Sequence, residues 1–175
     1  KVTIPNTVKK IGSMSFYHCE KLSSVTLPKN LNEIGYKAFD STKALKSITI
    51  PKTVTKNGNY VFLNSGIETA IIENGATSVP NNLFSKATNL TQITIPNTVK
   101  KIGSMSFCGC TKLSSVTLPN TLTSIETSAF ENCRAMKSIT IPKSVTYFGT
   151  TAVGYSDGRV IDGFIIYGYK NTKAQ

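Results

Sequence analysis

The stretch TIPNTVKKIGSMSF fills Thr3–Phe16 and returns unchanged at Thr94–Phe107, 91 residues further on. Working outward from it, the prolines fall into line. Val2–Pro5 (VTIP), Val25–Pro28 (VTLP), Ile48–Pro51 (ITIP), Ile93–Pro96 (ITIP), Val116–Pro119 (VTLP) and Ile139–Pro142 (ITIP) stand 23 residues apart, except for one gap of 45. A degenerate copy fills that gap. Ala70, Ile72 and Glu73 take the places of Ile48, Ile50 and Pro51, in a rung one residue short. The chain is therefore a repeat array of seven rungs, which we number 1 to 7 by Pro5, Pro28, Pro51, Glu73, Pro96, Pro119 and Pro142.

Three further columns keep the period. Ile11, Ile34, Asn57, Val79, Ile102, Ile125 and Phe148 form one; Phe16, Phe39, Phe62, Phe84, Phe107, Phe130 and Val153 a second; Leu22, Leu45, Ile67, Leu90, Leu113 and Met136 a third. KLSSVTLP (Lys21–Pro28, Lys112–Pro119) and KSITIPK (Lys46–Lys52, Lys137–Lys143) share the 91-residue offset, so a block of four rungs is duplicated as a unit. A solenoid tolerates this because each rung touches only its neighbours.

Each column predicts a role. L-x-x-V-T-I-P alternates in and out as a short strand, rich in residues that suit a pleated surface. Proline, lacking an N–H, ends it. Stacked rungs predict one parallel sheet. The second arm, V-x-x-I-G, turns back to the core, with Gly12, Gly35, Gly103 and Gly149 placed for a tight turn. The S-x-x-F or x-A-F piece predicts one helical turn that buries the Phe, so the array reads as an α/β repeat. Asn57 stands where other rungs carry an apolar residue, and Glu73 replaces a proline. A local irregularity is expected over 57–73.

Composition bounds the function. The 175 residues hold 39% hydrophobic residues, no Trp and one His, with a formal net charge of +11. No apolar run approaches a membrane span, so membrane insertion is not expected.

These columns resemble the BspA-like leucine-rich repeats, the Treponema-type class. The resemblance rests on IPNTVKKIGSMSF, TIPKSVTYFG and SAFENCRAMKSITIP: the proline after the strand, the I-G, the A-F, and a Cys three residues after the Phe. Asn57, Glu73 and the residues in place of Cys in three rungs (Thr42, Ser65, Ala87) depart from it. The tail GFIIYGYKNTKAQ (Gly163–Gln175) resembles the closing segment of such arrays in gut Firmicutes. The resemblance implies a right-handed, horseshoe-shaped solenoid with its parallel sheet on the concave face. It implies a repeat array over residues 1–155 and a closing segment, itself cut short, over 156–175. It further implies a secreted or cell-surface bacterial protein, extracellular, with a role in adhesion. Such repeats occur in some protists too. An array cut at Lys1 leaves apolar core and strand edge uncapped, and end-to-end self-association is expected of it.

The catalytic inventory is sparse. Cys19, Cys110 and Cys133 share the column after the Phe and read as small buried thiols. Cys108 replaces Tyr17 of the first block and reads as partly exposed and reactive. A Cys110–Cys133 disulfide fits the rung spacing but suits the bridge geometry poorly, because the side chains run parallel. Metal sites want paired ligands at set spacing, and none is present. His18 becomes Gly109 in the second block, and the nine acids scatter among unlike columns, so no acid–base pair stands out. Asp157-Gly158 and Asp162-Gly163 read as turns. No enzyme and no cofactor are expected; a hydrolase working in a groove of the array ranks last.

Two surfaces remain. Thr26, Thr49, Thr94, Thr117 and Thr140, with Thr3, predict an outward hydroxyl ladder interrupted at Ile71; Ser24, Ser47, Ser115 and Ser138 predict a second beside it. The plain reading is that Thr and Ser suit an exposed strand; the functional one is a flat polar platform for a host or matrix protein or a glycan. Ice-binding repeats also present threonine arrays, an option the family resemblance ranks low. Lys9, Lys10, Lys56, Lys100 and Lys101 predict a basic flank. Its plain reading is a soluble edge-protected surface, ahead of anionic glycan or acidic protein. Nucleic acid is not expected, since no aromatic residues interleave with these lysines. The function implied is a non-catalytic extracellular binding or adhesion module; the alternative is a passive spacer in a longer surface protein.

Overall fold

The computed structural model describes residues 1–168. The chain winds into a parallel-stranded β-solenoid of about seven turns, whose walls are ladders of hydrogen bonds between neighbouring rungs, interrupted at some junctions. The first arm supplies β1 (Val2–Thr3), β3 (Val25–Thr26), β5 (Ser47–Ile50), β7 (Thr69–Ile72), β9 (Gln92–Thr94) and β12 (Ser138–Ile141). The second arm supplies β2 (Lys10–Ile11), β4 (Glu33–Ile34), β6 (Lys56–Asn57), β8 (Ser78–Val79), β10 (Lys101–Ile102), β11 (Ser124–Ile125) and β13 (Tyr147–Phe148). In the tail, β14 (Tyr155–Ser156) and β15 (Arg159–Val160) form an antiparallel hairpin, and β16 (Ile165–Gly168) adds to β12.

The strands stack in the register of the columns: Ile48 on Ala70, Ile50 on Ile72, Ile34 on Asn57, Ile125 on Phe148. Each first-arm strand ends in one turn, closed by the N–H of the residue three positions after the proline bonding to its carbonyl. Val8 to Pro5, Val54 to Pro51 and Val145 to Pro142 do this at 3.0–3.1 Å. Ala76 to Glu73 repeats it at 3.1 Å, so Glu73 keeps the turn without the ring. Its carboxylate also accepts from the Lys52 N–H at 2.9 Å.

The interior holds the Leu, Ile and Val columns and a stack of six phenylalanines, Phe16 to Phe130, whose centroids step 5.0–5.6 Å from rung to rung. Phe39, Phe62, Phe84, Phe107 and Phe130 are fully buried. Offset stacking adds about 0.5–1.5 kcal/mol per pair beyond the burial itself.

Two expectations are corrected here. No helix occurs among the described residues. The Phe-bearing turn instead contains two left-handed residues per rung. One column runs Met14, Lys37, Tyr60, Asn82, Met105, Ser128, Thr151, with φ of 52–59°. The other runs His18, Ser41, Asn64, Lys86, Gly109, Asn132, with φ of 50–76°. A left-handed residue every few positions reverses the chain where an α-turn would continue it. Between them, alternate N–H groups reach the next rung, as Phe16 to the Ala38 carbonyl and Phe107 to Ala129, at 2.8–2.9 Å. The turn is thereby a third wall of inter-rung bonds.

The I-G glycines also have another role. Gly12, Gly35, Gly103 and Gly149 keep ordinary negative φ. A Cβ on Gly35 would lie 2.4 Å from the Ser13 nitrogen, and one on Gly149 2.2 Å from the Thr127 nitrogen. These glycines let one rung's backbone lie against the previous rung. Gly12, in the first rung, meets only a side-chain oxygen at 3.3 Å.

The parallel stacking expected of the rungs is present, but divided into separate ladders. First-arm ladders join β1–β3, β5–β7–β9 and β12–β16; no ladder joins β3 to β5, and Ser115–Leu118 of rung 6 pairs with neither neighbour. Second-arm ladders join β2–β4–β6 and β8–β10–β11–β13, with a break between β6 and β8. The irregularity expected over 57–73 lies at that break, while the first-arm ladder runs through Glu73's rung intact. Across the break, side-chain amides take over: Asn57 Nδ2 donates to the Asn81 carbonyl at 2.7 Å, and Asn89 Nδ2 to the Ser65 carbonyl at 2.9 Å.

Candidate functional site

The first-arm face carries the hydroxyl columns. Thr26, Thr49, Thr94, Thr117 and Thr140 are all exposed, as are Ser24, Ser47 and Ser115, with Ser138 half-buried. The face is not flat. Where the ladder between β3 and β5 is missing, a groove of about 370 Å³ opens. Val25, Leu27, Ile48 and Pro51 form its apolar walls, Ser24, Thr26, Ser47 and Thr49 its hydroxyl rim, and Ile71 and Glu73 its far side. Ile71 is 48% exposed, a large apolar side chain standing in the threonine row. The volume lies in the range of small-ligand sites.

The groove also has backbone chemistry. In a parallel ladder, successive residues turn their polar groups to opposite neighbours. Val2 and Ile4 donate to the Ser24 and Thr26 carbonyls, so Val25 and Leu27 face rung 3. The N–H groups of Thr69 and Glu73 bond to the Lys46 and Ile50 carbonyls, so Ser47 and Thr49 face rung 2. No ladder joins these two edges.

Sequence reasoning marked the hydroxyls and missed the groove. The signal was present: every first-arm junction left open involves a rung written VTLP, rung 2 on its later side and rung 6 on both. Leu lacks the β-branch that favours a strand, and Val fills less of the core than Ile. Val25 and Val116 are half-buried, where Ile48, Ile93 and Ile139 are buried.

The lysine flank is less basic than its sequence. Lys9, Lys10, Asn32, Glu33, Thr55 and Lys56 line an open cleft of about 530 Å³. Lys10 pairs with Glu33 and Lys101 with Glu126, each at 2.9 Å. Lys9, Lys56 and Lys100 are exposed. Lysines and aromatics do meet one corner further on, where Tyr36 and Tyr60 pack edge to face at 6.5 Å and Lys37 and Lys86 sit over their rings at 5.5 and 5.3 Å. The left-handed turn brings these four together, which linear spacing did not reveal.

A family model described as the BspA type leucine rich repeat region, with six copies of the repeat, matches residues 1–90 and 77–157. The chain belongs to that family. Among solved structures it is similar to a leucine-rich repeat protein from Eubacterium ventriosum (36% identity, TM-score 0.75, 88% of this chain and 42% of that one). One from Bacteroides ovatus is similar at 28% identity and TM-score 0.72, over 98% of this chain and 45% of that one. The T. pallidum leucine rich repeat protein is similar at 27% identity and TM-score 0.73, over 93% and 78%. The chain thus spans less than half the length of the first two. No curated protein matches it.

In this BspA-type array the cysteine column is structural. The Cys110 and Cys133 thiols are buried and donate to the Phe84 and Phe107 carbonyls of the preceding rung at 3.2 and 3.3 Å. Thr42 and Ser65, in the same column, donate to the Phe39 and Phe62 carbonyls at 2.8 Å. Burial pushes the Cys110 thiol well above the usual range and the Cys133 thiol up to about 12. All four cysteines are free. Cys108 is half-buried, and burial, then the nearby Glu131, raises its pKa. Its partial exposure is as expected, while the raised pKa disfavours the thiolate that a reactive cysteine needs. Cys19, expected to be buried like the rest of its column, is exposed. His18 is exposed and lies 3.6 Å from Glu20. Among the described residues no three His, Cys, Asp or Glu side chains gather as a metal set, and no helix is long and apolar enough to cross a membrane.

Proposed function

We propose that this array is a non-catalytic binding module of an extracellular or cell-surface protein, docking a host or matrix protein on its first-arm face. The observation that carries the reading is the groove between β3 and β5: apolar walls, a hydroxyl rim and unpaired strand edges in one place. Exposed apolar side chains beside polar rims mark interaction sites more than scattered ones do. On this reading the face is the concave one and residues 156–168 begin the closing segment, the rest of which lies outside the described residues.

The lysine flank supports a second partner class, anionic glycans, through Lys9, Lys56 and Lys100. Pairing of Lys10 and Lys101 with glutamates ranks it lower. A spacer reading keeps the array and assigns it no ligand.

A surface-binding screen against matrix proteins and sulfated glycans, with salt titration of each hit, separates the three. The expected hit survives 0.5 M salt and is lost in Thr49→Arg. A hit abolished by modest salt assigns binding to the lysines, because exposed charges are screened within about 10 Å at 0.1 M. No hit supports the spacer.

A further inference from the structure

We propose that the first-arm face carries the same peptide groove twice, four rungs apart, each copy taking one uncharged extended polypeptide segment that inserts an apolar side chain. The proposal rests on the binding-module reading and deepens it. Rung 6 repeats the VTLP of rung 2, and its later side is likewise unpaired, here with the earlier side open as well. Val116 is half-buried like Val25. Leu118 and Leu27 are both 7% exposed, and Ile139 and Ile48 are 3% and 4%. The far side is repeated as well, from unrelated sequence. Ile71 stands across from Thr49 and is 48% exposed; Tyr167, in the tail strand, stands across from Thr140 and is 54% exposed. The tail strand thus rebuilds, beside rung 7, what rung 4 supplies beside rung 3.

Three features select the occupant. Walls of Val, Leu, Ile and Pro take an apolar side chain. The facing strand edges offer backbone donors and acceptors, which an extended peptide matches. The parts common to both copies carry no charge: Lys29 of the first becomes Asn120 in the second, and Glu73 is held by the Lys52 N–H. A site whose shared walls are uncharged, and whose first copy balances Lys29 against Glu73, draws polyanions less than the rest of a chain of net charge +11 does. Four rungs at about 4.8 Å set the copies ~20 Å apart. A partner that repeats its segment at that span gains by occupying both.

The test is an amide-shift titration of the full chain with a capped hexapeptide of alternating serine and leucine, with capped hexaserine and maltohexaose as controls. The expected result is parallel shifts at Val25, Thr49 and Ile71 and at Val116, Thr140 and Tyr167. Two peptides bind per chain, and the controls give no shifts. Thr49→Arg removes the first set only and Thr140→Arg the second only; the untouched set reports that the fold is kept. Two hexapeptides joined by a flexible linker of about 12 residues, whose mean span is near 20 Å, bind about 100-fold more tightly than one. Shifts confined to one groove overturn the duplication and leave the binding-module reading intact. Shifts from maltohexaose without the peptide overturn the peptide assignment. Silence at both grooves with every probe overturns the proposal and the first-arm face as the seat of binding.

Discussion

Met14, Lys37, Tyr60, Met105 and Thr151 are not residues that favour a left-handed backbone, yet each holds one. The conformation costs an L-residue about 1–2 kcal/mol. The array recovers this through the third wall of inter-rung bonds. His18 and Gly109 share a column because that column needs φ near 50–76°, a demand on the backbone that involves no imidazole chemistry. His18→Gly is therefore expected to leave stability unchanged or raised, while His18→Val lowers it by about 1 kcal/mol or more, as read by urea unfolding. The buried thiols give a pH dependence. Cys133 keeps its proton to about pH 12 when folded, and an unfolded thiol loses it near 9. Between those values the folded state binds more protons, so stability falls as pH rises, by about 1.4 kcal/mol per unit for one such group. The Cys133→Ala chain is expected to show a shallower alkaline decline in denaturant midpoint than the parent. Asn57→Ala removes the donor to the Asn81 carbonyl and is expected to cost about 1–2 kcal/mol in the same assay.

At the level of the rung, the arm glycines and the strand residues decide how closely neighbours approach. A Cβ on Gly58 would sit 2.3 Å from the Tyr36 nitrogen, with no side chain able to yield. Gly58→Ala is expected to cost about 1–3 kcal/mol or more in thermal unfolding, because the backbones must part. Leu27→Ile restores a β-branch where the ladder fails. It is expected to raise hydrogen-exchange protection at Val25 and Thr49 and to narrow the groove; unchanged protection would assign the opening to something other than strand propensity. Much of this level was legible. The proline that ends the strand, the Phe, Leu and Ile columns and their register follow from a strict period, because a residue repeated every rung must meet its own copy. The helical turn was misread because S-x-x-F spacing is equally that of a left-handed turn, and only backbone angles tell them apart. The glycines were misread because close approach is a relation between rungs, and the I-G dipeptide shows one rung at a time. The groove was half legible: its hydroxyls repeat, but its opening depends on Val and Leu replacing Ile at positions that remain apolar.

Across the whole molecule, the interruptions are staggered. Between rungs 2 and 3 the first-arm ladder is open, while the second arm and the turn remain bonded. Between rungs 3 and 4 the first arm is bonded, β6 and β8 are not, and the turn makes none of the Phe-flanking backbone bonds found at the other junctions. The missing residue of that region, between Phe62 and Ile67, shifts the turn out of step with its neighbour. Linear arrays lose cooperativity where an interface between repeats is weak. Native-state hydrogen exchange is expected to show rungs 1–3 opening at lower free energy than rungs 4–7, with the boundary between Asn57 and Val79. Uniform opening across that boundary would show that the Phe stack and β5–β7–β9 suffice to couple the two parts.

The same junction has a mechanical meaning. A linear array pulled from its two ends fails where the fewest bonds share the load. Here that place is fixed in advance, at one strand ladder reinforced by two asparagine side chains. Pulled along its axis, the array would part there first, with each half still wound and its Phe stack intact on either side.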